Sequence, residues 1–353
     1  MSLGSPARLA VLAVAIASLS PLPSFADRAA SPPGGTLLTL INGWETYRGS
    51  PKPEIFAYKG IVHLKGAIKE PTGSSDEPFI VPEPFRPAAT VAVKLDLCDA
   101  ENGVLVIAPD GSTTLGAEDN GSDPTCFTSL DGATYSLTAD GYHPLKLKKG
   151  WQHFSSDGAA VPAVRAVGNV VHFQGAMTGG TSPAAFVLPA ALRPQSTVWI
   201  ALDMAFSTNG RIGIHPDGTV DVQAQSDFSL AQNFTSLDGA TFALDTTGFT
   251  ALTLINGWSP DTADGTATPS VRVDHGVVEF QGAITQSSAS SDSPFVLPPG
   301  MRPARTVCIA VDMGQAANGR LQIAPDGTVS LLAEAGVSDP FAFVSLDGVS
   351  FHL

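Results

Sequence analysis

The sequence predicts an all-β protein made of three tandem antiparallel β-sandwich (jelly-roll-like) domains of about 105 residues each. Three observations carry that expectation. A set of motifs returns three times in one order, apolar residues alternate with a period of two, and Gly and Pro punctuate the short apolar runs.

The repeat is plainest in Leu-Thr-Leu-Ile-Asn-Gly-Trp at 38–44, which returns unchanged at 252–258 and as Leu-Lys-Leu-Lys-Lys-Gly-Trp at 145–151. Trp44, Trp151 and Trp258 are therefore 107 residues apart in both steps. Gly-Ala-Ile or Gly-Ala-Met follows at 66, 175 and 282, then Arg-Pro at 86, 193 and 302, Pro-Asp-Gly at 109, 216 and 325, and Ser-Leu-Asp-Gly at 129, 236 and 345. These matches set units of 36–137, 143–244 and 250–353, with linkers of about five residues. A period this long exceeds that of solenoid repeats, about 20–50 residues, and suits a domain that folds alone.

Within each unit the strands read by alternation. Val278, Phe280, Gly282 and Ile284 share one face, as do Val171, Phe173, Gly175 and Met177 in the second copy. The next strand alternates as Val91/Val93/Leu95, Val198/Ile200/Leu202 and Val307/Ile309/Val311. Pro-Asp-Gly then joins two strands as a hairpin turn, because Pro presets φ and Gly accepts the left-handed conformation. Seven or eight strands per unit and no helix are expected.

Residues 1–26 read as a secretory signal peptide: Arg8, an apolar run from Leu9 to Leu19, and Ser24-Phe25-Ala26 ahead of a cut after Ala26. The expected localisation is secreted, either extracellular or periplasmic. No later run is long and apolar enough for a membrane helix, so no membrane insertion is expected. With 33 Asp+Glu against 19 Lys+Arg, the chain carries −14. That excludes nucleic acid as an expected partner, since phosphate backbones need Lys/Arg clusters.

The ordered pattern Gly-Trp, Gly-Val-Val strand, Phe-Val-Leu-Pro, Arg-Pro, Pro-Asp-Gly, Ser-Leu-Asp-Gly resembles the C-terminal β module of phage tail-fibre and minor tail proteins. The resemblance covers nearly all of the chain after residue 26, once per copy. It implies an appendage head domain, often trimeric, that contacts a cell surface. It supplies no binding residues to carry over.

The three Gly-Trp tryptophans read as core anchors, with sugar stacking as the rival role. Trp199 stands where the other copies have Ala92 and Cys308, and either contacts a ligand or packs on a neighbouring copy. Arg86, Arg193 and Arg302 could meet an anionic ligand, but an internal ion pair with Asp96, Asp203 and Asp312, which recur with them, is the simpler expectation. The run Glu118-Asp119-Asn120-Gly121-Ser122-Asp123 has the oxygen chemistry of calcium ligands but not the spacing of a known loop. No metal, cofactor or catalytic set is expected: the seven histidines form no metal spacing, and neither a nucleophile elbow nor a phosphate loop occurs. His63 and His172 fall at matching positions, and Glu279 replaces them in the third copy. Cys98 and Cys126 belong to the first copy alone and predict a disulfide, with two unrelated substitutions as the plain alternative. Cys308 is then left over.

The expected function is that of a secreted, non-enzymatic binding protein recognising a glycan or an envelope protein at a cell surface. The alternative is a structural appendage subunit without a dedicated ligand, and an extracellular hydrolase is the distant third. Three copies on one chain further predict an intramolecular pseudo-trimer.

Overall fold

The computed structural model describes residue 1 and residues 35–353, except 74, 119–122 and 288–290. The signal peptide expected at 1–26 lies outside the described residues, as does most of the acidic run after Glu118. The described chain is all-β, with one short α-helix, Phe228–Asn233.

Each sheet draws its strands from a single copy. In the first, one layer runs Thr36–Leu37, Glu54–Tyr58, Ile61–Lys65, Thr134–Ser136, all antiparallel. The other runs Glu45–Thr46, Ala67–Lys69, Thr128–Ser129, Val91–Leu97, Asn102–Ile107, Thr113–Ala117. The second copy repeats this order and adds Ala184–Val187 at the edge. In the third, the larger layer falls into two pieces linked by the single bridge Met313↔Val344. Three large apolar clusters lie between these layers, one drawing on Leu38–Leu137, one on Leu145–Leu244, one on Leu252–Leu353.

Three details differ from the sequence reading. Strands number ten or eleven per copy among the described residues, because pairs as short as Glu45–Thr46 are too brief to show alternation. The helix was missed for the same reason: six residues make under two turns. Asp227 starts it by accepting the Ser229 N–H at 2.9 Å. The run through Gly282 is also not one strand. Val277–Gln281 belongs to one layer and Ala283–Thr285 to the other, and the chain turns the corner at Gly282 with φ of 88°. A Cβ there would lie 2.4 Å from the Ala267 carbonyl oxygen, so glycine is required for space as well as conformation.

The apolar face of the central strand points into its own sandwich: Val91, Val93 and Leu95 are buried. Its opposite face carries Ala92, Lys94 and Asp96, and the three central strands face one another around a common axis. The recurring motifs close this arrangement into a ring. Ala92 N–H donates to Asp238 Oδ2 (3.1 Å), Trp199 N–H to Asp347 Oδ2 (3.3 Å) and Cys308 N–H to Asp131 Oδ2 (3.4 Å). The serine two residues before each aspartate donates back to the same partner: Ser236 to Ala92 O, Ser345 to Trp199 O, Ser129 to Cys308 O. Copy one thus holds copy two, two holds three, and three holds one.

The other oxygen of each aspartate, Oδ1, accepts the N–H of the corner glycine in its own copy, at 2.7–2.8 Å for Gly66, Gly175 and Gly282. The glycine after each aspartate has φ near 80° and lies against the next copy. A Cβ on Gly239 would meet Val93, and one on Gly348 would meet Ile200. Ser-Leu-Asp-Gly is therefore a clamp between copies, not merely a turn former. No helix among the described residues is long and apolar enough to cross a membrane.

Candidate functional site

With the copies locked in a ring, the chemistry concentrates at the junctions. Where the second copy meets the third, Arg211 bonds Asp312 at 3.1 Å and lies over the Trp199 and Phe343 rings. Where the third meets the first, Arg320 bonds Asp96 at 2.6 Å and lies over Phe127. Where the first meets the second, Val104 stands in place of the arginine. There Lys94, at the position of Ala201 and Ala310, reaches Asn102 and Asn209 and supplies the positive charge near Asp203. Loss of one cation is thus matched by gain of another.

The expected pairing of Arg86, Arg193 and Arg302 with these aspartates is corrected by the same geometry. Each arginine Nε donates to the carbonyl five residues earlier, Val81, Leu188 or Leu297, at 2.8–3.0 Å. That carbonyl lies against Gly111, Gly218 or Gly327 of Pro-Asp-Gly, so Arg-Pro and Pro-Asp-Gly recur together because one braces the other. The partners of Asp96 and Asp312 come from other copies, at separations of 224 and 101 residues.

Burial dominates the titration of this inner shell. It pushes Asp96 and Asp347 up to about 7, and Asp131, Asp238 and Asp312 up to about 6, while Asp203 lies well above its ordinary value. Burial also pushes Lys94 down to about 8, against the pull of Asp203 and Glu334. Burial, with the charge of His352, holds His63 at about 4, and burial, with the charges of His63 and Arg165, holds His172 at about 3. Their counterpart Glu279 bonds Arg272 at 2.6 Å. Two neutral imidazoles and an ion-paired glutamate make no acid–base pair.

The remaining singled-out residues are accounted for by packing. Trp44, Trp151 and Trp258 are 4–5% exposed, and each Nε1 donates to a serine carbonyl of its own copy, Ser75, Ser182 or Ser291. Rings this buried offer no stacking face to a sugar. Trp199 packs across a junction against Phe343 and Ala283. Cys98 and Cys126 are joined as a disulfide, with Cα atoms 6.1 Å apart. Cys308 packs beside Cys98 and Phe127, and burial pushes its thiol up to about 12, which removes it as a nucleophile.

What sequence reading missed are the grooves between copies. Two such grooves each lie between an Arg-Pro segment and the loop that enters the neighbouring copy's first long strand. The groove between the third and first copies, about 300 Å³, carries Lys52, Lys65, Arg305 and His352, with Glu54 as its one acid. At the same four positions the groove between first and second, about 400 Å³, has Val161, Gln174, Ala89 and Ser136. The second–third junction has Thr268, Gln281, Ser196 and Ala243. Aligning the three copies on their shared motifs would have exposed these charges. Judged one at a time, they look like ordinary surface lysines and arginines.

Compared with known proteins, the chain matches no family model, no curated protein and no solved structure.

Proposed function

We propose that the chain is an exported, non-enzymatic binding protein that holds an anionic group of a cell-surface glycan or envelope polymer in the groove between its third and first copies. One observation carries this reading. In a chain of net charge −14, three cations and a histidine converge on one groove, and the equivalent positions at the other two junctions carry no charge. A concave site lined with a few convergent polar groups is the usual form of a ligand pocket. Lysine and arginine there suit a carboxylate, sulfate or phosphate substituent. Burial and the charge of Lys65 hold His352 below its ordinary value, so the groove gains a further positive charge on acidification.

A structural appendage subunit without a dedicated ligand is the second reading. The closed ring of clamps favours it, since each clamp is made by the chain's own serine, aspartate and backbone groups. A glycan array separates the two. The binding reading expects capture of uronic-acid, sulfated or phosphorylated glycans over neutral ones. It also expects Lys52→Glu with Arg305→Glu to weaken capture at least tenfold while leaving stability within about 0.5 kcal/mol, as for surface changes. Equal, weak signal on all glycans, unchanged in the variant, leaves the structural reading standing.

A further inference from the structure

At one end of the axis, the strand after Pro-Asp-Gly is followed in each copy by an equivalent residue: Glu118, Gln225 and Glu334. Ring closure brings them together. Gln225 Nε2 donates to Glu334 Oε1 across the second–third junction. Carboxylate oxygens of Glu101, Glu118 and Glu334 all lie within 4.8 Å of one another. Burial pushes the Glu118 carboxyl up, and that of Glu334 to about 7.

The cluster alone would be a crowded acidic surface. A second observation points to a ligand. Asn318 is 0% exposed and Glu334 5%, yet Asn318 Oδ1 and Glu334 Oε2 have no hydrogen-bond partner, and neither has the buried Gln225 Oε1. The backbone joins these residues, Glu334 N–H donating to Asn318 O at 3.2 Å. The counterparts of Asn318, Asn102 and Asn209, accept from the Lys94 ammonium, whose charge also acts on Glu118 and Glu334. All three orphaned atoms are acceptors, and the nearby ammonium of Lys94 bonds Asn102 and Asn209 instead, so what these atoms lack is a second cation or a donor.

We propose that this end of the axis binds one calcium-like divalent cation between Glu118 and Glu334, with Glu101 as a third carboxylate and the free oxygen of Gln225 completing the inner set. Calcium takes oxygen ligands at about 2.3–2.6 Å, so ligands on opposite sides of the ion stand about 4.8 Å apart. A set without histidine or cysteine selects a hard cation over zinc or copper. The site draws an equivalent residue from each of three copies, and Glu101 from the first as well, so no stretch of sequence holds its spacing. It rests on observations separate from the anionic groove.

The test is a calorimetric titration of calcium chloride into the full exported chain after chelation, with thermal unfolding followed in parallel. One saturable site per chain and a raised midpoint are expected. Glu118→Gln and Glu334→Gln should each weaken binding at least tenfold, and in chelator each should unfold no earlier than the parent, since burial already disfavours the charge that the substitution removes. Magnesium, which demands closer and more regular ligands, should bind more weakly. No heat and no shift of the midpoint up to about 10 mM calcium, a free level at which even weak extracellular sites fill, would overturn the proposal and assign the orphaned oxygens to water. Unchanged binding in the Glu118→Gln/Glu334→Gln double variant would overturn it equally.

Discussion

The junction between the first and second copies and that between the third and first share one clamp, yet enclose opposite grooves. Both have a serine and an aspartate reaching the same backbone groups of the central strand, at nearly the same distances. One groove is lined by Val161, Ala89 and Gln174, the other by Lys52, Arg305 and Lys65. The clamp binds backbone, so it is indifferent to the side chains beside it. Geometry is thereby fixed while the lining is free to differ, and a ring of three copies offers three unlike surfaces.

Removing the clamp at one junction should have the largest effect. Asp238→Ala leaves the Gly175 and Ala92 N–H groups buried without an acceptor, at about 1–3 kcal/mol each. A loss near 4 kcal/mol in chemical denaturation is expected, and a loss under about 1 kcal/mol would mean that the copies hold together by apolar contact alone.

The cation exchange between junctions can be tested by reversing it. Lys94→Ala should cost about 3 kcal/mol, because it strands the buried Asp203. Adding Val104→Arg, which restores the arginine of the other two junctions, should recover at least half. If the second change recovers nothing, the equivalence of the junctions is broken.

The disulfide sharpens the comparison of the copies themselves. Cys98 and Cys126 close a separation of 28 residues in the first copy alone. Replacing both with serine should cost about 3 kcal/mol by loop closure. Hydrogen exchange should place the loosening in the first copy and at its junction with Cys308.

Acidity tests the buried shell as a whole. Asp96, Asp131, Asp238, Asp312 and Asp347 hold protons up to about pH 6–7 in the folded chain, whereas unfolded aspartates release them near pH 3.9. Folding therefore takes up protons between about pH 4 and 7, and stability falls as pH rises through that window. His63 and His172 act in the opposite sense. They are neutral in the fold down to about 4 and 3, so their contribution is lost as pH falls below the unfolded value near 6.5. Five carboxyls outweigh two imidazoles, so the thermal midpoint should be higher at pH 5.5 than at pH 8, on the order of 5 °C.

The contrast between junction and sandwich also marks where sequence reading stopped. Alternation at Val91/Val93/Leu95 located the inward face, because each sandwich buries its own period-two pattern. The turn chemistry of Pro-Asp-Gly was legible too, and Asp110 accepts both the Ser112 N–H and its hydroxyl. The outward face was not legible. Asp96 meets Arg320 across 224 residues, and nothing local to either residue encodes that meeting. Arg86 was assigned to Asp96 because both recur, but recurrence does not reveal which copy faces which. The groove lysines were hidden differently: their signal is the absence of charge at Val161 and Thr268.

The closed ring is the claim on which the clamps, the grooves and the axial site all depend, and small-angle scattering on the monomeric chain from residue 27 onward tests it most directly. A ring of three packed copies predicts a radius of gyration near 20 Å, the compact scaling for about 320 residues. A clearly larger radius with an elongated distance distribution, as three beads on linkers would give, would contradict it.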